Sequence, residues 1–65
     1  MSAWEYDPKA NAAYLHLSPD RDTPAVRQVN AVGDEIILDF SAEGRIIGVE
    51  VLRASELLDP RLLEG

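Results

Sequence analysis

His16 is the side chain best suited to move protons, because it is the only histidine in the sequence and imidazole titrates near neutral pH. It stands between Leu15 and Leu17 in a stretch where residue types alternate, as they do in a strand with one buried face. This setting favours a histidine on a strand surface over a catalytic base. We therefore predict no catalytic residue.

Three carboxylates, Asp7, Asp39 and Glu50, are candidates for an oxygen site, since Mg²⁺ and Ca²⁺ prefer several hard ligands together. Their spacing matches no metal-binding loop. Asp39 and Glu50 also fall on the two arms of one predicted hairpin, where like charges repel. We predict no metal site and no cofactor. The alternative is a small-ligand or metal-assisted enzyme whose site joins His16, Asp39 and Glu50 at a subunit interface.

Length and charge restrict the remaining function classes. The 65 residues have room for a single domain, 1–65, and a domain this small buries only about 60% of the surface of its unfolded chain. The chain has no cysteine, so association with another chain is the remaining way to enlarge the core. A net charge of −6 disfavours direct binding to nucleic acid or to anionic membranes.

The N-terminus also bears on location. Residues 1–5 lack the basic start and apolar run of a secretion signal, and no apolar run approaches the roughly 20 residues that span a bilayer. The sequence therefore predicts a cytoplasmic protein without membrane segments. Its acidic surface suits a basic protein partner, because complementary charge speeds association.

Apolar periodicity predicts the elements that carry these residues. Alternation with a period of two predicts strands, the third of them a weak edge strand, at 3–6, 12–17, 26–29, 35–40 and 45–52. A turn at 7–11 and a proline-containing loop at 18–24 separate the first three. Gly44 is expected to have a positive φ in the hairpin after residue 40.

The C-terminal pattern changes from the period of a strand to that of a helix. Ser55 is the predicted N-cap, and Leu58 and Leu62 follow at helical spacing. Pro60 either opens a second turn capped by Asp59 or breaks the first helix. The predicted fold is α+β: an antiparallel sheet of about four or five strands, a meander with a hairpin near 36–52, and a short C-terminal helix.

Strand alternation leaves one face of the sheet apolar and the other mixed. The candidate oligomer interface is the apolar part of the mixed face, formed by Tyr14, Ile37, Ile46 and Leu52, which would expose a contiguous patch on a monomer. A second copy, the C-terminal helix of the same chain, or a different protein would each cover it. We predict a homodimer, which buries the patch across a two-fold axis.

Several segments together form a pattern that other proteins share. They read Tyr-Asp-Pro at 6–8, Ala-Ala-Tyr-Leu-His-Leu at 12–17, Ile-Leu-Asp-Phe at 37–40 and Gly-Arg-Ile-Ile-Gly-Val-Glu-Val at 44–51. On these segments the chain resembles the small bacterial proteins grouped as domain of unknown function 2283. The resemblance covers roughly residues 4–58, and the run after the hairpin turn is its most specific part.

This resemblance implies a compact antiparallel sheet with a short C-terminal helix, and it assigns no molecular function. Some relatives are encoded beside a small family suspected of being toxins, so it implies an antitoxin-like or accessory role. Asn11 departs from the family pattern, in which this position is usually acidic, and this weakens any proposal that the first turn binds a cation. Our functional prediction is a non-enzymatic protein-interaction module that forms a homo-oligomer.

Overall fold

One antiparallel sheet makes up most of the computed structural model, which describes residues 4–20 and 22–63. The strands are β1 Trp4–Asp7, β2 Ala12–His16, β3 Arg27–Val32, β4 Ile36–Phe40 and β5 Ile46–Leu52. A short helix, α1 Ala54–Leu57, and a 3₁₀ turn, Pro60–Leu62, follow them. The predicted α+β class is confirmed, with the sheet dominant. Ala3 in the predicted first strand and Arg21 in the predicted loop lie outside the described residues.

The strands lie in the order β1-β2-β5-β4-β3, and all neighbours are antiparallel. The predicted meander is therefore wrong in one place, because β5 returns to pair with β2. Segment 17–26 makes this possible by carrying the chain across three strand spacings, or about 14 Å. Its two prolines, Pro19 and Pro24, lack a backbone donor and cannot continue a ladder, and the resulting strand order is that of a Greek key.

Asn11 joins the first turn to the C-terminal segment. Its φ is 50°, the left-handed conformation expected of the residue that ends this turn. Its Oδ1 accepts hydrogen bonds from the Tyr6 hydroxyl and from the Ser55 amide, both at 3.0 Å. The predicted N-cap at Ser55 is therefore wrong, because α1 begins at Ala54. An acceptor from the distant turn satisfies an amide that the helix itself leaves unpaired.

Asp59 decides between the two predicted roles of Pro60. Its carboxylate accepts a hydrogen bond from the Arg61 amide at 2.9 Å, and Pro60 is the first residue of the 3₁₀ turn. The proline thus opens a second short turn with Asp59 as its cap. Within residues 4–20 and 22–63, no helix is long and apolar enough to cross a membrane.

Cross-strand pairing assigns each strand side chain to one of two faces, because directly paired residues point to the same side of a sheet. The apolar face carries Tyr6, Ala13, Val51, Ile36 and Val32 in one row, Trp4, Leu15, Val49, Leu38 and Val29 in the next, and Ile46, Phe40 and Arg27 in the third. The opposite side is called the acidic face here and carries Glu5, Asp7, Ala12, Tyr14, His16, Gln28, Asn30, Ile37, Asp39, Gly48, Glu50 and Leu52.

The C-terminal segment covers only part of the apolar face. Ala54 is fully buried with Ala13 and Val51, and the surrounding side chains are Trp4, Tyr6, Val49, Leu58 and Leu63. The strand residues of this cluster all belong to β1, β2 and β5. The remainder of the face is called the bare half here and consists of Val29, Val32, Ile36, Leu38, Phe40 and Ile46.

A β-bulge in β5 changes which residues face which way. Asp39 pairs with Gly48, but Phe40 pairs with Ile46, so Ile47 is an extra residue. Simple alternation places Ile46 on the Tyr14 side and Ile47 with the apolar residues. The structure reverses this: Ile46 shares the apolar face with Phe40, and Ile47 lines a cavity beside Tyr14.

Candidate functional site

Tyr14 is the centre of the polar contacts on the acidic face. From β2 its side chain extends across β5, passes over Gly48, and donates a hydrogen bond to Asp39 Oδ2 on β4 at 2.7 Å. A Cβ at position 48 would lie 1.9 Å from the Tyr14 hydroxyl oxygen. Gly48 is thus needed because only the absence of a side chain leaves room for this reach.

Asp39 receives the hydrogen bond in a nearly closed environment. The residue is 6% exposed, and its second oxygen, Oδ1, accepts a hydrogen bond from the Gln28 side-chain amide at 2.9 Å. Both carboxylate oxygens therefore have donors, which a buried carboxylate requires. Three strands, β2, β4 and β3, are tied together through this single side chain.

The Tyr14 hydroxyl is held as a proton donor. Burial, the hydrogen bond to Asp39 and the negative charges of Asp39 and Glu50 together raise the pKa of Tyr14 to about 12. Each of these disfavours the tyrosinate anion. A phenol with this pKa stays protonated at neutral pH, so it suits a structural hydrogen bond better than general base catalysis.

His16 lies next to this hydrogen bond without joining it. Its ring meets the Tyr14 ring edge-on, with centroids 4.7 Å apart and planes at 64°. Its Nε2 is buried and lies 3.0 Å from a Glu5 carboxylate oxygen, without the alignment of a hydrogen bond. Edge-on packing against the Tyr14 ring therefore positions this histidine, with a Glu5 oxygen close to its buried nitrogen.

Two shallow cavities flank Tyr14. The smaller, about 230 Å³, is lined by Tyr14, His16, Ser18, Asp20, Thr23, Asp39 and Ile47. Within it the Ser18 hydroxyl is engaged with the Asp20 backbone, at 3.1 Å to the carbonyl and 3.2 Å to the amide. The larger, about 390 Å³, is lined by Glu5, Tyr6, Asp7, Ala10, Ala12, Ala13, Tyr14 and Glu50. The polar groups that line the smaller cavity are mostly engaged with each other.

The residues of the predicted enzyme alternative do not form one site in a single chain. His16 and Asp39 line the smaller cavity, whereas Glu50 lines the larger one. Among the described residues, no group of three or more histidine and carboxylate side chains is arranged to hold a metal ion.

Charge is divided sharply between the two faces. The strands contain four carboxylates, Glu5, Asp7, Asp39 and Glu50, and all of them lie on the acidic face. The apolar face has a single charged strand residue, Arg27, whose guanidinium lies 4.6 Å from the centroid of the Phe40 ring. That arrangement is a cation–π contact, which keeps the charge close to an aromatic surface.

The four residues of the predicted oligomer interface do not share one surface. Tyr14, Ile37 and Leu52 lie on the acidic face, where Tyr14 and Ile37 both pair with Glu50. Ile46 lies on the opposite face because of the β5 bulge. The predicted grouping of Ile46 with the other three is wrong, and self-association itself stays a prediction.

A comparison with protein families adds one match. The model of a protein family of unknown function, DUF2283, matches residues 4–55, four fifths of the chain. The chain belongs to this family. The matched range contains all five strands and the Tyr14–Asp39 hydrogen bond. It also contains Asn11 and Ser55, whose hydrogen bond joins the first turn to α1, but it ends before the 3₁₀ turn. No curated protein and no solved structure matches the chain.

The partners of the buried carboxylate of Asp39 were not predicted from the sequence. Tyr14 and Asp39 are 25 positions apart, and their meeting depends on the pairing of β2 with β5, which a meander excludes. Gly48 was the available signal, because a glycine inside a strand indicates close approach by another group. In the structure the group that approaches Gly48 is the Tyr14 ring.

Proposed function

We propose that the chain is a non-enzymatic protein-interaction module that functions as a homo-oligomer. The observation that carries this proposal is the separation of the sheet into an apolar face, covered over only half its width, and an acidic face that carries every strand carboxylate. Contiguous apolar surface of this kind marks interaction sites on soluble proteins.

The alternative of an enzyme at a subunit interface has less support. Its three residues lie on the acidic face, and joining two such faces would bring eight strand carboxylates together, four from each copy. Like charges placed close together at an interface oppose association. The polar atoms of Tyr14, Asp39 and Ser18 are also already engaged within the chain.

A basic protein is the partner that suits the acidic face. The net charge is −6, and complementary charge steers encounter and sets specificity more than it adds affinity. In this proposal one face serves self-association and the other remains free for a basic partner. An antitoxin-like role, which the family resemblance implies, is the most specific form of this function.

The solution mass tests self-association directly. Light scattering on a dilution series of the unmodified chain should give about twice 7.2 kDa at high concentration, with a fall towards 7.2 kDa only at low concentration. A mass of 7.2 kDa at every concentration would overturn the homo-oligomer. In that case the bare half would need a different covering protein.

The basic partner needs a separate test, because self-association does not depend on it. Where a small basic protein is encoded beside this chain, the two purified proteins should bind, and added salt should weaken the complex. Replacing Glu5 and Glu50 by glutamine should weaken it further, whereas Glu43→Gln, in the turn before β5, should not. If neither salt nor the two glutamine substitutions weakened the complex, the acidic face would not be the binding surface for the basic partner.

A further inference from the structure

We infer that the bare half of the apolar face is the self-association surface, and that a second copy of this chain packs its own bare half against it, sheet on sheet. This inference rests on the proposed homo-oligomer and deepens it by naming the surface. It moves the interface to the face opposite Tyr14, Ile37 and Leu52.

Exposure is the first support for this surface. Val32, Ile46 and Val29 are 63%, 46% and 38% exposed, and all three lie on the apolar face. Between them, Ile36, Leu38 and Phe40 are only half-buried. These side chains form a continuous block over three neighbouring strands, and a monomer leaves it in contact with water.

Surface area is the second support. The chain exposes 4622 Å², about 500 Å² more than the roughly 4,100 Å² typical of a compact monomer of its mass. A stable dimer hides about 800 Å² on each partner. The excess is more than half of this value, so a sheet-on-sheet dimer would restore the usual proportion of buried surface.

Shape agrees with this packing. The molecule measures 33 × 28 × 18 Å and contains one sheet. Two sheets pack face to face about 10 Å apart with their inner side chains interdigitated. Such a dimer gives the bare half the second layer that the C-terminal segment gives the other half.

Charge identifies a second copy as the occupant. The chain is acidic overall, so two copies repel unless they meet through a surface that lacks carboxylates. The bare half is such a surface, and the one charged strand residue on its face is Arg27, which lies against Phe40. The acidic faces would then point outward on both sides of the dimer.

The exposed edge of the sheet offers a competing arrangement. All six residues of β3 are exposed, and β3 is an edge strand, so the competing arrangement pairs β3 of one copy with β3 of the other. A bulge between Asn30 and Val32 interrupts this strand and makes it a poor template for pairing. Ile46 separates the two arrangements, because β5 is the middle strand and takes no part in edge pairing.

Substitutions on the two faces test the surface. Ile46→Asp should raise the dimer dissociation constant about tenfold or more, because it buries an unpaired charge in the interface. Ile37→Asp, on the neighbouring strand but the opposite face, is the matched control and should change it by no more than about twofold. Circular dichroism would confirm that each variant is folded before its mass is measured by light scattering.

Two lysine variants keep the test decisive if Ile46→Asp does not fold or acts only through added negative charge. Ile46→Lys and Val32→Lys both reduce the net negative charge, yet both should weaken the dimer because they place a charge in the bare half.

Loss of the dimer in Ile37→Asp with a persistent dimer in the Ile46 variants would overturn this surface and leave the homo-oligomer standing. A dimer that tolerates every variant would point to edge pairing and also overturn it. A monomeric unmodified chain would overturn both proposals.

Discussion

Tyr14 and Ile46 lie on opposite faces of one sheet. They differ in whether the rest of the chain supplies contacts for their side chains. The Tyr14 hydroxyl has its partner within the chain, Asp39, at 2.7 Å. Ile46 is 46% exposed, at a position that pairs with Phe40. The buried carboxylate on the acidic face therefore finds its partners within one molecule, whereas the apolar face is covered only beside the C-terminal segment.

The difference follows from the chemistry of the groups. A buried carboxylate such as Asp39 needs donors at fixed positions, and leaving them out costs more than the hydrogen bonds are worth. The hydrophobic effect is non-directional, and its contribution to stability is proportional to the apolar area removed from water. Any chain of suitable shape can therefore cover an apolar surface. Substitutions on the acidic face should alter folding stability, and those in the bare half should alter assembly.

Gly48→Ala is expected to have the largest effect on stability. Its methyl group would lie 1.9 Å from the Tyr14 hydroxyl oxygen, so the ring must leave its place over β5. The loss of the bond to Asp39 and of the ring contact should lower the free energy of unfolding by about 3 kcal/mol. Urea unfolding at one protein concentration, followed by circular dichroism, measures the change.

A double substitution provides the control for Gly48→Ala. With Tyr14→Ala present, the methyl group meets no ring, so adding Gly48→Ala should cost much less than it does in the unmodified chain. An equal cost in both backgrounds would contradict the view that Gly48 exists to admit Tyr14.

Tyr14→Phe should have a smaller effect, because the ring can stay over Gly48. It removes only the hydroxyl that donates to Asp39, a loss of about 1.5–3 kcal/mol for a hydrogen bond to a charged acceptor. The dissociation constant of the dimer should hardly change, because the hydroxyl is on the acidic face. An unchanged unfolding free energy together with a weakened dimer would reverse the assignment of the two faces.

Alkaline pH should remove the advantage of Tyr14 over phenylalanine. The pKa of Tyr14 is raised to about 12 in the folded chain from an ordinary value of 10.0, so the unfolded state loses this proton first. The stability it contributes is fully present below pH 10.0 and is lost as the pH rises through about 12. The difference in unfolding free energy between the unmodified chain and Tyr14→Phe should shrink over this range. A constant difference would contradict the raised pKa.

The sequence allowed the local elements to be predicted because their signals are local. Gly44 has the expected positive φ, 81°, and the period-two runs became strands. The pairing of β2 with β5 was not predictable in this way, since it depends on contacts between distant segments. The β5 bulge, which places Ile46 on the apolar face, was also not predictable. One extra residue in a strand reverses which face the preceding side chains occupy, and it leaves no mark in the composition.

Methyl NMR on a dilution series tests most directly the claim that the two faces have separate tasks. On concentration from monomer to dimer, the methyl signals of Val29, Val32 and Ile46 should shift, while those of Ile37 and Leu52 should stay in place. Of these five residues, only Val29, Val32 and Ile46 lie on the apolar face. Shifts at Ile37 and Leu52 with no change at Ile46 would contradict it and place self-association on the acidic face.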